Sequence, residues 1–517
     1  MTMLTPADAR SSVPIPGAYE QLIARCREAH LIEATSSILG WDQETMMPAG
    51  GVALRGKQQA ALARIHHQMA TAREVGDLLA ACEADRTFME SAAPESANVR
   101  EIRRDYDKAT KLPESLVSEL AQVTSEAQHE WAKARKASDF AQFLPWLRRM
   151  VKLKRDMAAC LGIPSGGEAW DALADTFEPG CTVTAVTAVF EPLRPRLVKL
   201  IAELREAKRG PSNRFNETPL SLDLQASFVR MVTEAIGFDF QRGRLDASTH
   251  PFCGGSHCND VRMTTRYCET CLNDALGSTM HEAGHGMYEQ GLPESAIGTP
   301  LGSAVSLAIH ESQSRLWENQ FGRGLPFWKW CRPHLLSHFG KAVEGFSVDE
   351  LYGAANIVEP GFIRVEADEA TYNLHVMVRF EIERLLIGGQ LDPADLPSEW
   401  NRRYREYLGL DVPDDRRGCL QDVHWSMGLF GYFPTYTLGT LYSAQLFDAA
   451  RRALPGLEDG FAAGEFAPLL QWLRSNVHAH GRRYSPMELC TRATGKPLSS
   501  AHYLEYLEGK LRPLYGF

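Results

Sequence analysis

Apolar residues recur every three or four positions through most of this sequence, whereas alternation of period two is convincing in one stretch only. Helical spacing runs through Leu22, Ile23, Cys26, His30, Ile32 and Ile38, then from Pro113 through Leu116, Leu120, Val123, Ala127 and Trp131. It resumes over Phe140–Leu161, from Val186 to Leu204, from Leu222, and over Leu307–Phe321. The strand candidate is DVRMTTRY, where Val261, Met263, Thr265 and Tyr267 alternate with Arg262, Thr264 and Arg266. A chain patterned in this way is expected to be mainly all-α. The first helix is expected to break at Gly40, and WDQETMMPAGG to form a packed turn before a helix near Leu54. Pro113 is expected in the first turn of its helix. Lys152, Lys154 and Arg155 give Phe140–Leu161 a basic face, read as solvated.

The stretch from Cys271 to Gly291 carries His281, Glu282 and His285 as H-E-x-x-H. On a helix, the two histidines share a face one turn apart, so both imidazoles can reach one metal ion. Glu282 is rotated about 100° from His281, which suits a carboxylate that does not ligate but takes a proton from water beside the metal. Glu311, on the helix from Leu307, is the best third ligand, and a His2Glu set leaves a fourth position open. Spacing leaves Glu289, Glu294 and Glu318 as rivals. The strand just before this helix could hold an extended peptide by main-chain hydrogen bonds.

With 517 residues, 44% of them hydrophobic, the chain can bury a large core, as one unit or several. A net charge of −10 gives no footprint for nucleic acid or an anionic membrane, and no apolar run reaches the length of a spanning helix. The start lacks the apolar core of a signal peptide, so a cytoplasmic protein is expected. Eleven cysteines suit reduced thiols, and Cys253, Cys258, Cys268 and Cys271 are spaced poorly for a structural zinc. Arg364, among Glu359, Glu366, Asp368 and Glu369, reads as part of a surface ion-pair network. The aromatic, Gly-rich run Arg416–Thr440 reads as close packing, and His478 and His480 as ordinary.

Six motifs in order resemble the carboxypeptidase Taq family. They are HPF at 250–252, D-x-R-x-T at 260–264, HEAGH at 281–285, HESQ at 310–313, IRVEAD at 363–368 and GCLQDVHW at 418–425. WDQETMMP and the closing EGKLRPLYG are similar as well, so the likeness extends from about residue 18 to the end. The resemblance implies a single helical, saddle-like unit over 18–517, with 1–17 as an extension, a deep central groove and a very small sheet beside the zinc site. It also implies a homodimer and one Zn2+ per chain, replaceable by Co2+. The expected activity is sequential release of single residues from peptides with a free C-terminus, with broad specificity. In this reading His281, His285 and Glu311 hold zinc and Glu282 is the general base. Arg364 is the first choice for the terminal carboxylate and Arg262 the second. His424 ranks ahead of Tyr432 and Tyr436 as oxyanion donor, and His250, Asp260 and Tyr436 line the groove. The alternatives are a zinc endopeptidase, a dipeptidyl carboxypeptidase and a non-catalytic zinc-bearing peptide-binding protein.

Overall fold

The computed structural model describes residues 15–270 and 272–517, so Cys271 and most of the expected 1–17 extension lie outside the described residues. Its chain is mainly helical, from Gly17–Thr45 to Ala501–Leu514, with one three-stranded sheet. The first helix does not break at Gly40 but runs on through Thr45. Tertiary contacts hold it across the glycine: Arg55, from the helix Val52–Ala70, donates to the Leu39 carbonyl and pairs with Asp42 at 2.6 Å. Buried Trp41 meets the guanidinium groups of Arg244 and Arg262, at 4.6 and 4.7 Å from its ring. Pro113 is the cap before the helix Glu114–Ala137 rather than a member of its first turn.

The face of Phe140–Leu161 read as solvated is only partly so. Lys152 is exposed and paired with Asp156 at 2.8 Å, but Lys154 is buried against the Met157 sulfur, and burial pulls its pKa down to about 8. Arg155 donates to the carbonyls of Leu386 and Ile387, near the end of the helix Tyr372–Gly388. A cation there suits the negative end of a helix.

The expected strand forms as β3 (Asp260–Thr265), flanked by β1 (Gly243–Ala247), parallel to it, and β2 (Cys253–His257), antiparallel to it. Because β3 is central, both its edges are already hydrogen-bonded, which rules out the expectation that it pairs with an extended peptide. β2 bulges between Gly255 and His257. A side chain at Gly255, where φ is +142°, would strike the Asp260 carbonyl 2.1 Å away.

Val261 and Met263 of β3 are fully buried in the main core, which the helix Leu272–Glu289 shares. That helix packs against Leu307–Arg315, and two glycines permit close approach around them. A Cβ on Gly284 would meet the Gln313 carbonyl at 2.5 Å, and one on Gly439, in the helix Pro434–Ala453, would meet the Glu311 side chain at 2.5 Å. The backbones therefore come close enough for short side chains of different helices to converge. A second, smaller apolar cluster joins the N-terminal helices through Leu22, Ile23, Leu79, Phe88 and Val99.

Candidate metal centre and active site

Nε2 of His281 and Nε2 of His285 each lie 3.5 Å from Glu311 Oε2. Among the described residues, these three form the only group of three or more His, Cys, Asp or Glu placed to hold a metal ion, with ligand atoms within 4.8 Å of one another. The described members of the cysteine set, Cys253, Cys258 and Cys268, form no such group and are free thiols. The rival carboxylates are engaged elsewhere. Glu318 Oε2 lies 2.9 Å from His281 Nδ1, Glu289 Oε1 lies 2.8 Å from His310 Nε2, and Glu294 accepts from Asn259 at 2.8 Å. His310 in turn meets His285, Nδ1 to Nδ1, at 2.5 Å. Each imidazole of the pair is thus steadied through Nδ1 while Nε2 faces the shared carboxylate oxygen. Two such nitrogens and one carboxylate oxygen fit a divalent ion and leave room for water.

Beside this group stands a buried wall from three distant segments. Arg364 is 4% exposed, and its partner is not one of the neighbouring acids in sequence but Asp422. Nε and Nη2 reach Asp422 Oδ1 at 3.0 and 2.9 Å, and Nη1 reaches the Tyr372 hydroxyl at 2.9 Å. Arg379, wholly buried, takes the other oxygen of Asp422 at 2.6 Å. The surface ion-pair reading of Arg364 is therefore replaced by a buried Arg–Asp–Arg bridge. His424 lies 3.3 Å from the Tyr436 hydroxyl through Nε2 and stacks on Phe433. Burial, and more weakly the charge of Glu311, raise the pKa of both Tyr432 and Tyr436. Arg262 pairs with Asp260 at 2.8 Å and lies over the Trp41 ring. His250 is exposed, and its side chain makes none of the hydrogen bonds that tie the group together.

A model of the carboxypeptidase Taq (M32) metallopeptidase family matches residues 21–511. The chain belongs to this family. Over 506 residues, 96% of the chain and 99% of the relative, it is 43% identical to thermostable carboxypeptidase 1 of Thermus thermophilus. It is 34% identical to carboxypeptidase 1 of Bacillus subtilis over 489 residues, covering 95% and 97% of the two chains. The crystal structure of the M32 carboxypeptidase from Deinococcus radiodurans superposes with a TM-score of 0.93 at 40% identity, covering 97% of this chain and 100% of that one. This carboxypeptidase Taq chain is accordingly a hydrolase, a metallocarboxypeptidase, with the mainly helical fold of its relatives. Membership implies a divalent metal ion, and the His–His–Glu group is the place where the described residues could hold one.

Burial and charge prepare the group for that task. Burial pushes the Glu282 carboxyl up to about 7. Burial alone would lower His281, but Glu311 and Glu318 outweigh it and raise its pKa, while burial and His310 bring His285 down to about 3. Burial would raise Glu311 and Glu318, yet Arg315 and His281 hold both well below the usual carboxylate range. Arg315 was not singled out from the sequence, although it and Glu318 stand four and seven positions after Glu311, on one helical face. His478 is buried, contacts Tyr288, and its Nε2 meets Gln313 of the HESQ segment at 2.9 Å.

Proposed function

We propose that this enzyme is a zinc carboxypeptidase that removes residues one at a time, with broad specificity, from free peptide C-termini. His281, His285 and Glu311 hold the ion. The observation that supports this most is the convergence of two imidazole nitrogens and a carboxylate oxygen, within 4.8 Å, beside a buried and proton-avid Glu282. Nitrogen and oxygen donors in that ratio suit zinc, and Co2+ could take its place. The relatives give no support to the endopeptidase, dipeptide-releasing or non-catalytic alternatives.

Bound there, zinc supplies a Lewis acid that polarises the scissile carbonyl and acidifies water. Glu282 takes the proton of the attacking water and delivers it to the leaving amine, a role suited to a carboxyl whose affinity for protons lies near neutrality. We assign the hydrogen bond to the developing oxyanion to Tyr432 or Tyr436, whose hydroxyls both feel the charge of Glu311. His424 takes the supporting place behind Tyr436. Its buried ring, with a pKa pulled down to about 4, is neutral at pH 7.

Arg364 keeps first place for the terminal carboxylate. Its bonds to Asp422 and Tyr372 leave an N–H on each Nη; Arg262, whose Nε and Nη2 pair with Asp260, keeps second place. His250 shapes the entrance rather than the reacting centre. The free thiols suit a reducing, cytoplasmic compartment. We read residues 18–517 as one catalytic unit that pairs as a homodimer, on the strength of family likeness. Arg364→Ala is a poor test, since it removes half of a buried bridge. Arg364→Lys keeps the charge beside Asp422 but loses the planar fork. It should raise KM for free-acid peptides about tenfold or more, with a far smaller change in unfolding midpoint. An unchanged KM would take Arg364 out of the substrate site.

A further inference from the structure

The two oxygens of Glu311 face different partners. Oε2 points to both histidines at 3.5 Å and accepts from Ser314 at 3.2 Å, whereas Oε1 accepts from Arg315 Nε at 2.7 Å. Arg315 also reaches through Nη1 to Glu318 Oε2 at 3.2 Å, the same oxygen that lies 2.9 Å from His281 Nδ1. Its guanidinium sits over the Tyr372 ring at 4.4 Å, which fixes its plane. One rigid, permanently charged fork therefore spans the carboxylate in front of the histidines and the carboxylate behind one of them.

We propose that Arg315 is a positioning residue that confines Glu311 to a single donor oxygen, so that a coordination position stays open for water and the scissile carbonyl. The inference rests on the reading of Glu311 as a metal ligand. A carboxylate beside a dication can bind through one oxygen or both, and an open position is what separates a catalytic zinc site from a closed structural one. With Oε1 engaged by the guanidinium, Oε2 is left as the donor. Removing Arg315 has two consequences of the same sign for metal binding. A cation is lost beside a dication, and Oε1 becomes free to turn inward. Glu318 keeps Arg323, at 3.1 Å, as a counter-charge, so the support behind His281 persists. The metal should therefore bind at least as tightly while turnover falls. A merely structural role would weaken both.

The test uses metal-free protein reconstituted with Co2+, comparing wild type, R315Q, R315K and E311A. Visible absorption reports coordination, chelator competition reports affinity, and a free-acid peptide reports kcat and KM. R315Q should hold cobalt no less tightly than wild type. Its visible bands should weaken several-fold as a further oxygen enters the coordination shell, and kcat should fall by about tenfold or more with KM little changed. R315K, with the charge and one donor retained, should keep the wild-type bands. Wild-type band intensity in R315Q, or cobalt binding weakened about tenfold, would overturn the proposal. If E311A keeps cobalt with a wild-type spectrum, the ligand reading of Glu311 fails instead. Arg315→Met, which preserves the stem against Tyr372, replaces R315Q if that variant does not fold, with the same two outcomes.

Discussion

Glu282→Gln is expected to leave metal content intact and to lower kcat by about 10²–10⁴-fold, or roughly 3–5 kcal/mol of transition-state stabilisation. Glu282 lies outside the donor trio, so its loss removes no ligand. It is next to His281 in the chain and only 7% exposed, so the amide fits the same space. What disappears is a group that can take a proton, and no neighbour replaces it: Glu311 and Glu318 are held as carboxylates well below the usual range by Arg315 and His281, although burial works against them. Zinc content by elemental analysis and kcat on one peptide decide the matter. A Gln variant with near-normal turnover would remove Glu282 from the role of base.

The second large effect belongs to stability. Asp422→Ala leaves Arg364 and Arg379 facing each other without a counter-charge, at 4% and 0% exposure. Breaking a buried ion pair by deleting one partner costs about 3–5 kcal/mol, because the surviving charge stays desolvated. Here two charges survive, so the upper part of that range is expected, read as a fall in the denaturant midpoint. The sign of the pH dependence follows from the carboxyl itself. Burial would raise its pKa, but the two guanidinium groups hold it below its ordinary value of 3.8. The stabilisation is present at pH values above the unfolded value and is lost only as pH falls through the folded one. Wild type and variant should therefore differ most near neutrality and converge in strong acid. A midpoint shift under about 1 kcal/mol would mean that the bridge is solvated, as in a surface pair.

The metal helix was legible because its information is local. The 3.6-residue period fixes His281 and His285 on one face whatever the rest of the chain does. The third donor was legible as a shortlist headed by Glu311, since spacing cannot tell which of Glu289, Glu294, Glu311 and Glu318 faces inward. The structure separates them by what lies behind each: His310 for Glu289, Asn259 for Glu294, His281 Nδ1 for Glu318, and the two Nε2 atoms for Glu311. β1 and β2 escaped notice because Gly-Arg-Leu-Asp-Ala and Cys-Gly-Gly-Ser-His lack an apolar alternation, and they form by pairing with β3. The partner of Arg364 is 58 positions away, and nearer acids masked it. Gly40 misled for a related reason, since the contact that overrides it comes from Arg55 on the next helix.

The central claim is that this metal group trims free C-termini. Mass spectrometry of one unblocked peptide incubated with the enzyme, with and without a chelator, beside the same peptide amidated at its C-terminus, tests it most directly. The account predicts a ladder that loses one residue at a time from the C-terminus, absent with the chelator and absent from the amidated peptide. Internal cuts, or a ladder from the amidated peptide, would contradict it.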